Sequence, residues 1–207
     1  QGLDDHVGPL LHALEADNEL DSTIVLMTSD HGDLCYEHDR LNKGNPYEGS
    51  ARVPMLIRYP KRLRGGHVYS RPVGTVDVTP TLLGLADVSH QSAMQGRDLS
   101  NRLEGGEGQG SRGDDIVFLR NAGTRANWVA AIDDRYKLVL SANDRPWLFD
   151  YESDPDELLN FFDRPGTAGA TKRLADALAA YAAKSEDPYF SDKNITASLQ
   201  QCRAIKP

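Results

Sequence analysis

An α/β segment joined to a small antiparallel sheet is the fold class this sequence predicts. Three observations carry that reading. A stripe of apolar residues at helical spacing runs into a continuous apolar stretch. A polar loop, a second apolar stretch and a helix-start signal follow, which is an α/β order. Beyond a glycine-rich break the pattern shortens to four strand-length segments separated by turn residues. A 207-residue chain suits one domain, or a core with an appendage, and buries roughly 70% of its unfolded surface.

Val7, Leu10, Leu11 and Leu14 fall at i, i+3, i+4 and i+7, one face of a first helix. The chain opens at Gln1, and its first residues already read as helix interior, so a start inside an element is expected. Asp21-Ser22 interrupts the stripe. Thr23 to Met27 then reads as a strand covered on both faces. Residues 30–50 are polar and contain glycine, which predicts a loop. Val53 to Tyr59 is the second strand, with Pro54 placing its start at an edge or terminus. Thr79-Pro80 reads as an N-cap followed by proline at the first helical position, ahead of Leu82, Leu83, Leu85 and Ala86. These elements make residues 1–103 the α/β segment.

Residues 104–115 are charged and glycine-rich, and predict a mobile connection. Residues 116–207 follow as a small antiparallel sheet plus helix. Its strands are Ile116 to Leu119, Trp128 to Ile132, Tyr136 to Leu140 and Trp147 to Phe149. Asp133-Asp134-Arg135 and Asn143-Asp144-Arg145-Pro146 are turns, and both tryptophans are expected in the core. Asp154-Pro155-Asp156-Glu157 has the layout of a capped helix start. A last helix from Thr171 to Lys184 is expected to bury Leu174, Leu178 and Tyr181.

The formal charge of -8 argues against nucleic acid as a partner, because phosphate backbones require a basic face. The short basic run Arg58 to Arg64 reads as a solvated loop. Cys35 and Cys202 lie far apart without metal-type spacing, so neither a disulfide framework nor a zinc knuckle is supported, while a single bridge stays open. No apolar run approaches the roughly 20 residues of a membrane span. No signal segment is visible, and the compartment stays open between cytoplasm and periplasm or exterior. Asn194-Ile195-Thr196 matches a glycosylation pattern as a single triplet.

The chemistry concentrates in Thr28-Ser29-Asp30-His31-Gly32-Asp33. In open α/β sheets ligands bind outside the carboxyl ends of strands, and Asp30 and His31 sit at such an end. Alone, the pair fits a turn cap and a satisfied polar histidine as well as a metal site. Lys43 adds an ammonium suited to a sulfate or phosphate oxygen. A metal pair with a fixed cation is what a tetrahedral oxyanion needs.

These residues, with Glu37-His38, Asn42-Lys43-Gly44-Asn45-Pro46-Tyr47-Glu48 and Arg52-Val53-Pro54, resemble the sulfatase family of the alkaline-phosphatase-like superfamily. Weaker matches are Val76 to Leu83, Tyr136-Lys137-Leu138, Leu148-Phe149-Asp150 and Asp154 to Asn160; the resemblance covers residues 3–163. It implies the C-terminal part of the sulfatase core, followed by the small sheet and helix. It implies Asp30 and His31 as two ligands of one divalent metal. Calcium is favoured by the oxygen-rich ligand set, with magnesium, manganese or zinc compatible. Lys43 is the implied catalytic cation, contacting the sulfate group. His38 and Asp33 are read as loop-ordering residues near the site, and Glu48 and Arg52 as an i, i+4 pair that holds the loop. The implied activity is metal-assisted hydrolysis of a small-molecule or glycan sulfate ester. Phosphonate or phosphate ester hydrolysis is the alternative within the superfamily, and a non-catalytic chain that binds metal or anion is the alternative outside it.

The family's nucleophile is a formylglycine made within Cys/Ser-x-Pro/Ala-x-Arg, and no such signature occurs here. The early Asp-Asp metal pair is also missing, since Asp4-Asp5 lies on the first helix. The resemblance therefore implies a C-terminal portion whose formylglycine belongs to an N-terminal half. Such a chain is expected to be inactive alone, and to associate with itself or with that half through exposed strand surfaces. Tyr36 stands where the family often has glycine. Because tyrosine resists positive φ, the loop is expected to take a different path.

Overall fold

A computed structural model describes residues 2–105, 115–121 and 127–206. The elements in chain order begin α1 (Asp4–Ala16), β1 (Val25–Thr28), α2 (Glu48–Ala51), β2 (Met55–Arg58), α3 (Val78–Leu85) and α4 (Ser100–Gly105). They continue β3 (Val117–Arg120), β4 (Trp128–Ile132), β5 (Tyr136–Ser141), β6 (Trp147–Asp150), α5 (Ala168–Ser185) and α6 (Lys193–Ala204). The chain forms two compact units. One holds residues 2–29, 54–69 and 75–105; the other holds residues 30–53, 70–74, 115–121 and 127–206. The boundary expected near residue 103 thus gives way to an interleaved one, in which the 30–53 loop belongs with the C-terminal sheet. Most of the glycine-rich 104–115 stretch lies outside the described residues. Its first two positions, Glu104 and Gly105, close α4.

In the first unit β1 and β2 form an antiparallel pair, with Val25 opposite Arg58 and Thr28 opposite Met55. The expected coverage on both faces is absent among the described residues, and Leu56 is 62% exposed. A two-stranded ribbon has too little area to enclose its own side chains. The stripe of α1 forms as predicted, yet no residue of that helix is buried, and Leu10 is 61% exposed. The cap expected at Thr79 lies two residues earlier. A 3₁₀ turn, Thr75–Asp77, runs directly into α3, and the Asp77 carboxylate accepts from Arg97 Nη2 at 2.7 Å. Pro80 is then the third helical residue, where its missing N–H still falls among the four unpaired donors. The basic run is tied down locally. Arg58 donates to the Leu20 carbonyl at 2.7 Å, and Arg62 donates to the Gly84 and Leu85 carbonyls and pairs with Glu104.

The second unit is built on a meander in the order β3-β4-β5-β6, all antiparallel, as the sequence predicts. Alternation along its strands sorts the side chains onto two faces. Val129, Ala131, Leu138, Leu140 and Leu148 pack against Leu174, Ala175 and Leu178 of α5 and Ile195, Leu199 and Cys202 of α6. Trp128, Ala130, Val139 and Phe149 form the opposite face, and Tyr47, Leu119 and Trp147 cover it. The buried residues of α5 recur as Thr171, Leu174, Ala175 and Leu178, one helical stripe, while Tyr181 stacks on Phe118 at 4.6 Å. α6 has no counterpart in the sequence reading, because its polar composition hides a three-residue buried seam. Asp192 caps it, accepting from the backbone of Asn194 at 2.8 Å and Ile195 at 3.3 Å, a device worth about 1 kcal/mol. The same Asn194 donates its side-chain amide to the Ala142 carbonyl at 2.7 Å. Cys202 is buried and Cys35 exposed, and both are free thiols.

Asp154-Pro155-Asp156-Glu157 forms no helix. Asp154 accepts from Leu159 N at 2.7 Å, as a turn-capping residue does, but Glu157 has φ 54° and turns its carboxylate inward to Lys137. The glutamate of a capping box must reach back to the cap instead. No helix among the described residues is long and apolar enough to cross a membrane.

Two expectations follow. Leu178→Ala removes a fully buried side chain between sheet and helix, and should lower unfolding free energy by about 2–5 kcal/mol in urea titrations. Asp150, buried at the end of β6, is held below the usual carboxylate range, chiefly by two hydrogen bonds from Arg135. A depressed folded value means this stability is present above the unfolded pKa near 3.8 and is lost as pH falls through the folded one. Asp150→Asn should therefore destabilise by about 1–3 kcal/mol at pH 7, with the gap to wild type closing below pH 3.8 in thermal melts.

Candidate functional site

Asp30 and His31 follow β1 in the chain and belong to the same unit as the C-terminal sheet. Their side chains meet: His31 Nε2 lies 3.2 Å from Asp30 Oδ2, with the carboxylate 81% and the imidazole 39% exposed. His31 Nδ1 is 2.8 Å from the Gly32 carbonyl. A carbonyl only accepts, so Nδ1 carries a proton and Nε2 is the nitrogen turned toward the carboxylate. Two electron-rich atoms at that separation call for a cation between them, a proton or a metal ion. Asp30 Oδ1 also accepts from His31 N at 3.0 Å, which fixes the carboxylate against its own backbone.

The chain then makes its tightest approach. Gly32 N donates to Ser50 O at 2.9 Å, and a Cβ at Gly32 would overlap the Gly49 carbonyl oxygen. Only glycine lets the Asp30–His31 segment lie this close to α2.

Residues 33–42 form a strained loop. Cys35, Tyr36, His38, Asp39 and Asn42 all have positive φ, between 46° and 75°. Tyr36 thus adopts, at φ 75°, the conformation expected to be barred to it. Each such residue costs about 1–3 kcal/mol and persists only where the surroundings dictate it. Here they do. Leu34 is fully buried and its N–H donates to Asn42 O at 2.9 Å, closing the loop. Asp33 accepts from Cys35 N at 2.9 Å, and that bond is the main cause that lowers its pKa, with Lys43 adding a smaller attraction. His38 stacks on Tyr47 with centroids 3.7 Å apart and planes within 11°. Asp33 and His38 therefore sit in loop-ordering contacts.

Lys43 is exposed, and the residues after it are pinned to the second face of the sheet. Trp128 donates its indole N–H to the Gly44 carbonyl at 2.9 Å. Lys137, fully buried on the same face, donates to the Pro46 carbonyl and to Glu48 Oε1, the latter at 3.0 Å. Glu48 Oε1 also accepts from the Tyr151 hydroxyl at 2.9 Å, and Glu48 N donates to Glu157 Oε2 at 2.6 Å. Arg52 stands 4.0 Å from Glu48 and is 80% exposed, so Glu48 holds the loop through Lys137 and Tyr151 more than through its i, i+4 partner. Glu157 Oε1 takes no aligned hydrogen bond; the ammonium of Lys137 at 2.6 Å compensates its charge. Burial raises the Glu157 carboxyl, and Lys137 pulls it back only in part. Burial likewise raises the Tyr151 phenol, helped by both glutamates.

No sequence motif assigns Lys137 or Trp128 to the site. A lysine inside the otherwise apolar run Tyr136 to Leu140 was the available signal, since a buried ammonium requires acceptors. The structure joins Asp30 to His31, and Lys43 electrostatically to Asp33. Among the described residues no group of three or more His, Cys, Asp or Glu side chains is arranged to hold a metal ion.

Comparison with known proteins shows the family. The model for N-sulphoglucosamine sulphohydrolase, C-terminal, matches residues 36–184. A choline-sulfatase of Rhizobium meliloti is 36% identical over 163 residues, covering 79% of this chain and 31% of the relative. The structure of BT4656 in complex with its substrate D-glucosamine-2-N,6-O-disulfate superposes with TM-score 0.77 at 27% identity, over 93% of this chain and 40% of that one. The phosphonate monoester hydrolase of Agrobacterium radiobacter superposes with TM-score 0.67 at 27% identity, over 88% of this chain and 39% of that one. The chain spans about a third of the length of the curated relatives it matches. By the extent of the family match and the loop and sheet it covers, this chain belongs to the sulfatase family, in the part described as C-terminal.

Proposed function

We propose that this chain supplies one side of a sulfuric ester hydrolase centre, with Asp30 and His31 as metal ligands and Lys43 as the cation that meets the sulfate group. The observation that carries the reading is the facing of His31 Nε2 and Asp30 Oδ2 at 3.2 Å, on a loop that also presents Lys43. A carboxylate and an imidazole whose other nitrogen is already bonded fit as two ligands of a divalent ion. Calcium takes six to eight oxygen donors, so two residues cannot complete its shell. When bound, such an ion supplies Lewis-acid polarisation of the sulfuryl oxygens. Lys43 would donate to a sulfate oxygen and offset charge on the leaving oxygen. Lys43 also exerts a weak attraction on the Asp33 carboxylate of the same loop. A hydrolase of this kind also needs a nucleophile, and the 207 residues contain no formylglycine signature; turnover by this chain alone is therefore not expected.

The substrate is proposed to be a sulfate ester, with a sulfated sugar favoured by the disulfated glucosamine that the similar BT4656 takes as substrate. Phosphonate or phosphate ester hydrolysis is the second reading, favoured by the likeness to a phosphonate monoester hydrolase. The exposed apolar residues Leu10 and Leu56 support association of the first unit with a further polypeptide surface or a second copy.

In the full-length product of the gene, an aryl sulfate should turn over faster than an aryl phosphonate ester; the reverse order selects the second reading. Lys43→Ala should lower kcat/KM on the preferred ester by about 10²–10³-fold, and an unchanged value removes Lys43 from the chemistry. Asp30→Asn should raise the calcium concentration for half-maximal activity by about 10-fold or more, measured after chelation and re-addition. Equal calcium dependence in variant and wild type would remove Asp30 from the ligand set.

A further inference from the structure

We propose that Trp128 and Lys137 are positioning residues for Lys43. Through them the C-terminal sheet sets where the Lys43 ammonium stands. This inference rests on the reading of Lys43 as the sulfate-contacting cation.

The geometry is specific. Lys43 is exposed, so the path of its backbone sets where its side chain starts. The next residue, Gly44, has φ 89°, and because glycine is free to take many other directions, local sterics alone do not fix the chain here. Two long-range donors remove that freedom. Trp128 Nε1 takes the Gly44 carbonyl at 2.9 Å, from β4. Lys137 Nζ takes the Pro46 carbonyl, from β5, and adds Glu48 at 3.0 Å. Both donors stand on one face of one sheet, and they grip carbonyls two residues apart directly after Lys43. Ser50 Oγ accepts from Gly44 N at 3.1 Å and ties the same turn to α2.

Lys137 is an uncommon choice for such a task. Its side chain is 0% exposed, over the Phe149 ring at 5.6 Å and the Tyr151 ring at 5.4 Å. A backbone carbonyl, Glu48 and Glu157 all converge on one ammonium. A buried lysine without acceptors is costly, so the ammonium pulls the loop against the sheet and holds it there. Core packing alone would accept a leucine at this position; the loop requires a donor.

The test uses full-length protein and six variants: Trp128→Phe, Lys137→Met, Lys137→Met with Glu157→Gln, and each of these three combined with Lys43→Ala, with Lys43→Ala alone as the reference. Trp128→Phe keeps the ring and removes only the indole donor, so it should fold. The double variant removes the unpaired buried carboxylate that could unfold Lys137→Met. Trp128→Phe should lower kcat on an aryl sulfate by about 10-fold with KM changed less than about 2-fold, since misplacement near 1 Å can cost far more. In the Lys43→Ala background the same change should have no further effect on kcat. A full loss repeated in that background, or wild-type kcat in Trp128→Phe, overturns the proposal. Should the wild type not hydrolyse sulfate esters, the reading of the site fails separately. Hydrogen exchange then decides the positioning claim. Amides of residues 44–50 should exchange about 10-fold faster in Trp128→Phe and in the Lys137 double variant, with β4 and β5 unchanged. Unchanged loop exchange overturns it.

Discussion

The buried ammonium of Lys137 organises the second unit. Lys137 lies wholly inside, and its charge must be met by oxygen atoms the sheet itself cannot supply. Pro46, Glu48 and Glu157 supply them, so the 30–53 loop and the 150s turn are both drawn to the same face. Removing one partner from such a buried cluster costs about 3–5 kcal/mol, because the remaining charge is stranded. The apolar contacts around Tyr47, Trp147 and Phe149 add area, but area alone would tolerate the loop in several registers. The charge selects one.

That constraint accounts for the strain nearby. Positive φ at Cys35, Tyr36, His38, Asp39 and Asn42 is unfavourable residue by residue. It is sustained because both ends of the loop are anchored, at Gly32 against α2 and at Gly44 to Pro46 against the sheet. A loop held in this way has its backbone anchored at both ends, and it carries Asp30, His31 and Lys43 at the surface. Under the proposed reading, an anchored backbone of that kind would help to preorganise Lys43 for a charged tetrahedral group.

The sequence made the sheet legible because its strands alternate and its turns carry Asp, Asn and Pro. It made α5 legible through Leu174 and Leu178. It did not reveal α6, whose seam of Ile195, Leu199 and Cys202 is diluted by polar residues. It also misled at Asp154 to Glu157, where a capping-box pattern serves a buried ion contact instead. Local spacing shows helix signals but not the long-range charge that captures the glutamate. For the candidate site, the sequence singles out the Asp30-His31 pair and Lys43, and the structure brings the first two side chains together. Their anchoring was not, because Trp128 and Lys137 lie more than 80 positions away from the carbonyls they hold. Likewise the exposure of β1 and β2 follows from pairing, and a continuous apolar run does not say how many neighbours a strand will find.

In the proposed reading, Asp30, His31 and Lys43 face one ligand together. The most direct measurement is an anomalous-scattering crystal structure of the full-length protein soaked with a divalent metal and sulfate. The ion should lie about 2.3–2.6 Å from an Asp30 carboxylate oxygen if it is calcium, with His31 Nε2 coordinating and Lys43 Nζ in hydrogen-bond contact with a sulfate oxygen. An ion bound at a different set of residues, with Asp30 and His31 still paired to each other and Lys43 turned to solvent, would contradict it.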